Sequence, residues 1–275
     1  MLNIVRADQR IITLTRLLPF VLIWLLIPLI THSASLPSSK SSDPYHPLEI
    51  FDSMPGLPLA FVPQERFLDT PAGFSVRSSA GTLFFTQAGM ILSLPYYPAR
   101  TNQSPLLVET LRIQFEGANP YLTIEGIDPL AGSLNDFTGN DPTQWQTNLP
   151  TFAGIAYVDL HPGINLYYEG QQGWLKGTYF IAPGADPSRI AWRYAGADEV
   201  EIDPLTGDLL VTLILTATGD TYHLREQAPN VWQEIHGKRV PVEAGYVITG
   251  ERITFSLGAY NPAYALIVDR SYAGQ

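Results

Sequence analysis

From Phe74 onward the chain alternates apolar and polar positions in short runs, broken by clusters of Gly, Pro, Asn and Asp at intervals of about ten residues. In Ile164-Asn165-Leu166-Tyr167-Tyr168 the first, third and fifth side chains share one face and the other two the opposite face, a period of two that predicts a half-buried strand. Runs of the same texture include GTLFFTQ, MILSL, TLRIQFEG, TFAGIAYVDL, LKGTYFIAP, RIAWRYAG, LLVTLILTATG, TYHLRE, NVWQEI, AGYVITG, RITFSLG and ALIVD. No amphipathic helix of ordinary length interrupts them. The pattern predicts an all-β, sandwich-like fold.

The breaks have turn chemistry. In LHPGIN, Pro162 fixes φ at the second turn position and Gly163 supplies positive φ at the third, which predicts a type II turn. His236-Gly237 carries a two-residue hairpin signal, with Pro241 marking an edge or bulge. IDPLTGD, from Ile202 to Asp208, predicts another tight connection. In FTGNDPTQWQTNLP, Asp141 with Gln144 fits a capping box and Pro142 the first helical position, so one helical turn is expected there, with Trp145 plugging an apolar hollow.

Two segments resemble each other. LRIQFEGAN (Leu111 to Asn119) precedes IDPLAG (Ile127 to Gly132), and IAWRYAGAD (Ile190 to Asp198) precedes IDPLTG (Ile202 to Gly207). A duplicated β-unit would account for this, and so would recurrence of common turn chemistry. Duplication predicts two related β-lobes, at about 64–155 and 156–275, within an all-β domain spanning 64–275.

The N-terminus follows different rules. Arg6, Arg10 and Arg16 precede the uncharged run Leu17 to Ile30, and Ser33-Ala34-Ser35 follows it. That is the layout of a secretory signal peptide over residues 1–35. The apolar run has fourteen residues and contains Pro19 and Pro28, short of the roughly 20 that span a bilayer, so cleavage is favoured over anchoring. Residues 36–63, dense in Pro and Ser, are expected to form a spacer. The localisation implied is secreted or associated with the cell envelope.

Composition narrows the function. The chain has 275 residues, 45% hydrophobic and 11% aromatic, enough for a large core. Its formal charge is −10, and removing the +2 of residues 1–35 leaves −12, which repels nucleic acid and anionic lipid. Absence of cysteine excludes thiol catalysis, disulfides and zinc-thiolate sites.

No nucleophile elbow, phosphate loop, dinucleotide fingerprint or His-Glu-x-x-His pattern occurs. His46, His161, His223 and His236 lack metal-ligand spacing, and His161 and His236 are expected to be solvated in turns. Asp136, Asp141, Asp159, Glu169 and Asp203 are the carboxylates available to a glycosidase-like pair, with turn and rim residues as the alternative. Asn135, Asp136, Asn140 and Asp141 are calcium candidates without the Asp-x-Asp-x-Asp-Gly spacing, so such a site would be a weak brace. No other cofactor is expected. Tyr96, Tyr97, Tyr167, Tyr168, Trp174 and Trp192 would make a sugar platform if they shared an exposed face, but core filling is expected.

LRIQFEGANP, IEGIDPLAGSLNDFTGNDPTQWQTNLPTFAGIAYVDLHPGINLYYEG, FIAPGADPSRIAWRYAGADEVEID, EIHGKRVPVEAGYVI and FSLGAYNPAYALIVD carry a family resemblance from about Phe61 to Asp269. Together they resemble a domain of unknown function at the N-terminus of secreted bacterial proteins whose later parts hold seven-bladed β-propeller (SBBP) repeats. The resemblance departs at FVPQERFLDTPAGFSV, where relatives tend to begin with a Glu-Asn-x-Gly-Gln type segment, and at LIVDRSYAGQ, where propeller repeats would be expected to start. It implies an exported all-β module with no catalytic residues to transfer. The function expected is a non-enzymatic structural, adhesive or interaction role, with a cell-surface protein or polysaccharide as partner. The alternative is a carbohydrate-binding or polysaccharide-active protein with carboxylates in an inter-lobe cleft.

Overall fold

Ile164, Leu166 and Tyr168 are fully buried while Asn165 and Tyr167 face outward, so the period of two becomes a strand with one face in the core. The computed structural model describes residues 59–67, 70–78, 81–96, 107–137, 142–171, 174–216 and 218–273. They lie in one compact unit, Asp43–Gln275.

The chain first forms β1 (Val62–Pro63), β2 (Arg66–Phe67), β3 (Thr70–Pro71), β4 (Phe74–Arg77), β5 (Thr82–Thr86), β6 (Gly89–Tyr96) and β7 (Leu107–Phe115). A long ribbon follows, β8 (Thr123–Asp136) and β9 (Gln146–His161), and then β10 (Ile164–Gln171) and β11 (Trp174–Ile181). Next come β12 (Ala191–Ala195), β13 (Glu199–Ile202), β14 (Leu209–Ile214), β15 (Thr221–Glu226), β16 (Asn230–Ile235) and β17 (Lys238–Val242). β18 (Ala244–Thr249), β19 (Arg252–Leu257) and β20 (Leu266–Ala273) complete the order. Two short 3-10 turns, Pro142–Gln144 and Pro187–Arg189, are the helical pieces among the described residues.

Two large antiparallel sheets form a sandwich-like arrangement. One has the order β1-β4-β5-β6-β7-β12-β19-β18. The other has ten strands, β13-β14-β15-β20-β11-β10-β9-β8 with β16 on β20 and β17 on β16. Apolar burial drives their apposition, and aromatic rings bridge the gap: Phe85 to Tyr168 at 5.3 Å, Phe115 to Tyr157 at 5.3 Å and Tyr179 to Phe255 at 5.8 Å.

The strand parts of the two similar segments are neighbours, whereas their IDPLxG parts differ in setting. β7 and β12 are neighbours in the middle of the first sheet, with Ile113 opposite Tyr194. IDPLAG lies in β8 and IDPLTG begins at Ile202, the last residue of β13, and these strands are the two ends of the eight-strand path through the ten-stranded sheet. Both sheets draw strands from both halves of the chain.

Several local expectations are met. His236 and Gly237 have φ of 51° and 72°, as a two-residue hairpin of this type requires, and Pro241 sits in β17, which among the described strands pairs with β16. Gly163 has φ of 73°. Others are corrected. Ile127 to Gly132 does not end a strand: β8 continues through it, absorbing Asp128 at φ 53° and a register shift between Pro129 and Ser133. Residues 59–63, expected at the end of the spacer, join the core, where Leu59 and Phe61 are buried and Phe61 bridges to Phe152. Trp145 does not plug a hollow. It is 41% exposed and meets Phe137 edge-on at 5.3 Å, because the ribbon carries it clear of the sandwich.

Candidate functional site

The densest set of ionisable side chains among the described residues lies inside the core. β20 reads Leu266, Val268, Arg270 and Tyr272 along its inner face, and β15 reads Leu224 and Glu226 along its own. The period of two therefore carries a cation and a carboxylate inward with the apolar residues. Register places Glu226 opposite Tyr272, one pleat from Arg270.

Arg270 Nη1 donates to Glu226 Oε1 at 3.0 Å, and both side chains are 0% exposed. Arg270 Nη2 donates to the Tyr168 hydroxyl at 2.9 Å. Tyr246 donates to Glu226 Oε1 at 3.1 Å and to the Gln227 carbonyl at 2.7 Å, and Tyr194 donates to the other Glu226 oxygen. The guanidinium lies 4.7 Å from the Trp192 ring centroid, 5.1 Å from Tyr179 and 5.6 Å from Tyr272. A charge removed from water is costly unless it is paired and hydrogen-bonded, and this shell supplies both along with attraction to the ring faces. Arg270 Nε is without a hydrogen-bond partner among the described residues.

Gly177 makes the room. It sits in register between Tyr168 and Arg270, and a Cβ there would lie 3.0 Å from Tyr168 Cε1 and 3.5 Å from Arg270 Nε. Burial raises the hydroxyl pKa values of Tyr168, Tyr179, Tyr194, Tyr246 and Tyr272. Burial alone would depress the Arg270 guanidinium, but Glu226 and the surrounding tyrosines more than offset it. The network thus holds fixed charges and neutral phenols, sealed from any substrate. Its chemistry is the positioning of β15, β20, β12 and β18 against one another.

The residues expected from sequence are dispersed. Asp136, on the ribbon, pairs with Arg77 at 2.9 Å. Asn135 accepts from the Asn148 amide at 2.8 Å, which caps that residue's φ of 59°. Asn140 and Asp141 lie outside the described residues. Asp159 is exposed at φ 55°, with its amide bonded to Asn165. Glu169 is exposed on β10 opposite Lys176. Asp203 holds the IDPLTGD turn, accepting from the Leu205 amide and the Thr206 hydroxyl and pairing with Arg225 at 3.1 Å. Those bonds lower its pKa, the Leu205 amide foremost. Asp203, just after β13, and the ribbon carboxylate Asp136, on β8, stand at opposite ends of the eight-strand path through the ten-stranded sheet.

His161, expected in solvent, is 2% exposed, because the turn after β9 tucks its ring inward. Burial lowers its pKa against an opposing hydrogen bond that the ring donates to the Gly117 backbone carbonyl. His236 is exposed as expected, with Nε2 3.3 Å from the Tyr264 hydroxyl. His223 lies 3.2 Å from Thr212 Oγ1, and His46 is outside the described residues. No group of three or more His, Asp or Glu side chains able to hold a metal occurs among the described residues. Of the aromatics, Tyr168 and Trp192 fill the core, while Tyr96 and Tyr167 are half-buried. Tyr97 and the Trp174 side chain are outside the described set.

A family described as a domain of unknown function, DUF7948, matches residues 61–269. The chain belongs to the DUF7948 family. No curated protein and no solved structure matches it. Residues 61–269 span the DUF7948 domain from the Phe61 bridge to Asp269 on β20, one residue short of Arg270. Among the described residues of this DUF7948 chain, no helix is long and apolar enough to cross a membrane.

Proposed function

We propose that this DUF7948 chain is an exported, non-enzymatic all-β module with a structural, adhesive or interaction role at the cell envelope or outside the cell. The observation that carries the reading is the sealed core network. Among the described residues, the closest assembly of carboxylate, guanidinium and phenol groups is 0% exposed at its ion pair and ties strands together. The arginine-flanked apolar leader supports export. So does the resemblance to the leading domain of secreted SBBP-repeat proteins, and that domain's placement ahead of other modules suits a structural or interaction role.

The test is expression of the full chain in a bacterium, followed by fractionation, N-terminal sequencing of the product and assay of reducing-sugar release from polysaccharides. The expected product begins near Leu36, resides in the envelope or medium, and releases no sugar. Retention of an intact leader in the cytoplasm overturns the export reading, and sugar release overturns the non-enzymatic one.

A further inference from the structure

We propose that the outer face of the ten-stranded sheet carries a binding row for a neutral polysaccharide, running from Pro241 through Trp232, Ile267 and Phe180 to Asn165. The inference rests on the interaction role proposed above and names its ligand class. These five residues are mutual cross-strand partners on β17, β16, β20, β11 and β10: Trp232 pairs with Pro241 and Ile267, and Phe180 with Ile267 and Asn165. Their sequence neighbours Val231, Gln233, Leu266, Val268, Tyr179 and Ile181 are buried, so alternation turns the row outward. Phe180 is 41% exposed.

The row is apolar from Pro241 to Phe180, ends on the polar Asn165, and is only one residue wide. On one side the next in-register set is Asn230, Asp269, Thr178 and Tyr167. On the other, Arg239 stands opposite Glu234 and stacks over Trp232 at 3.6 Å from the ring centroid. A pyranose has this same division: apolar C–H faces and hydroxyls around the rim. Phe180 offers a ring for such a face. Stacking on Trp232 holds the Arg239 guanidinium flat, with in-plane N–H donors directed to the edges. Trp232 and Phe180 stand two strand spacings apart, ~9.6 Å, comparable to the length of a disaccharide.

Other occupants fit less well. A protein partner of ordinary stability needs about 800 Å² on each side, and a single row bounded by polar residues does not supply a patch of that width. A second copy brings the same −10 charge and is repelled, as is an anionic polymer. The charges beside the row are matched locally, since Lys176 pairs with Asp269 at 2.8 Å and Arg239 faces Glu234. That balance suits an uncharged chain.

The experiment is affinity electrophoresis and tryptophan fluorescence titration of the full chain with hydroxyethylcellulose, xyloglucan, laminarin and galactomannan, with alginate as the anionic comparison. Phe180→Ala, Trp232→Ala and the turn-tip control Leu205→Ala are run alongside, with folding checked by circular dichroism. The expected result is retention by at least one neutral polymer, little changed between low and high salt. Phe180→Ala and Trp232→Ala each weaken it roughly three- to tenfold, while Leu205→Ala, 93% exposed and away from the row, leaves it unchanged. No binding to any neutral polymer, binding to alginate alone, or binding indifferent to Phe180→Ala overturns the inference. None of these three outcomes touches the export and sugar-release tests of the broader role.

Discussion

Replacing Arg270 by Met keeps much of the side chain's volume but leaves Glu226 buried with only the Tyr194 and Tyr246 hydroxyls for company. Breaking one partner of a fully buried pair costs about 3–5 kcal/mol, because the remaining charge loses its compensation. For a domain of this size that corresponds to a fall in Tm of roughly 6–20 °C. The double variant R270M/E226L should cost much less than the sum of its parts. It removes both charges, Tyr246 retains its bond to the Gln227 carbonyl at 2.7 Å, and the main residual penalties are the Tyr194 hydroxyl that loses Glu226 and the Tyr168 hydroxyl that loses Arg270, about 1–3 kcal/mol each. Urea unfolding of wild type, both single variants and the double, followed by fluorescence, gives the coupling energy directly. The reasoning is refuted if Arg270→Met loses less than about 1 kcal/mol, or if the two single effects simply add.

Three further outcomes are expected. Tyr157, Tyr168, Tyr179, Tyr194, Tyr246 and Tyr272 have pKa values raised by burial, so stability holds below about pH 10 and falls as pH rises beyond it; ultraviolet titration should show these phenols ionising only with unfolding. His161 has a pKa lowered by burial, so its contribution is intact above about 6.5 and is lost as pH falls toward the folded value, and His161→Gln should flatten the decline in Tm measured between pH 7 and 5. Gly89→Ala should abolish folding, since φ there is 138° and a Cβ would stand 1.9 Å from the Ile113 carbonyl oxygen, whereas Gly177→Ala should cost about 1–3 kcal/mol in chemical denaturation.

Period-two alternation made the architecture legible. It carried the inward faces of Ile164 to Tyr168 and, with the turn residues at Gly163 and His236-Gly237, located strands and reversals. What it did not disclose was pairing at a distance. Arg270 and Glu226 stand in phase with the apolar residues of their strands, which was the signal available for their burial, but 44 residues separate them and register alone joins them. The binding row is similar: Trp232 and Phe180 are ordinary outward residues on their own strands, and the path β16-β20-β11 aligns them. Asp136, Asp159 and Asp203 looked like chemistry because turns and sites use the same side chains; the structure spends them on Arg77, on a left-handed backbone position and on the IDPLTGD turn.

The place of β20 bears on how such a chain comes to be folded. It is the last described strand, yet it lies in the interior of its sheet, paired with β11 on one side and with β15 and β16 on the other. Until residues 266–273 arrive, β11 is an open edge and Glu226 has no guanidinium. The earlier strands can pair locally, β4 to β7 and β8 to β11, but the pairing of Leu175 with Tyr272 must close a loop of nearly a hundred residues. The ten-stranded sheet is therefore completed only when its last described strand pairs. On the export reading, the strand that completes the sheet is also among the last parts of the domain to cross a membrane pore.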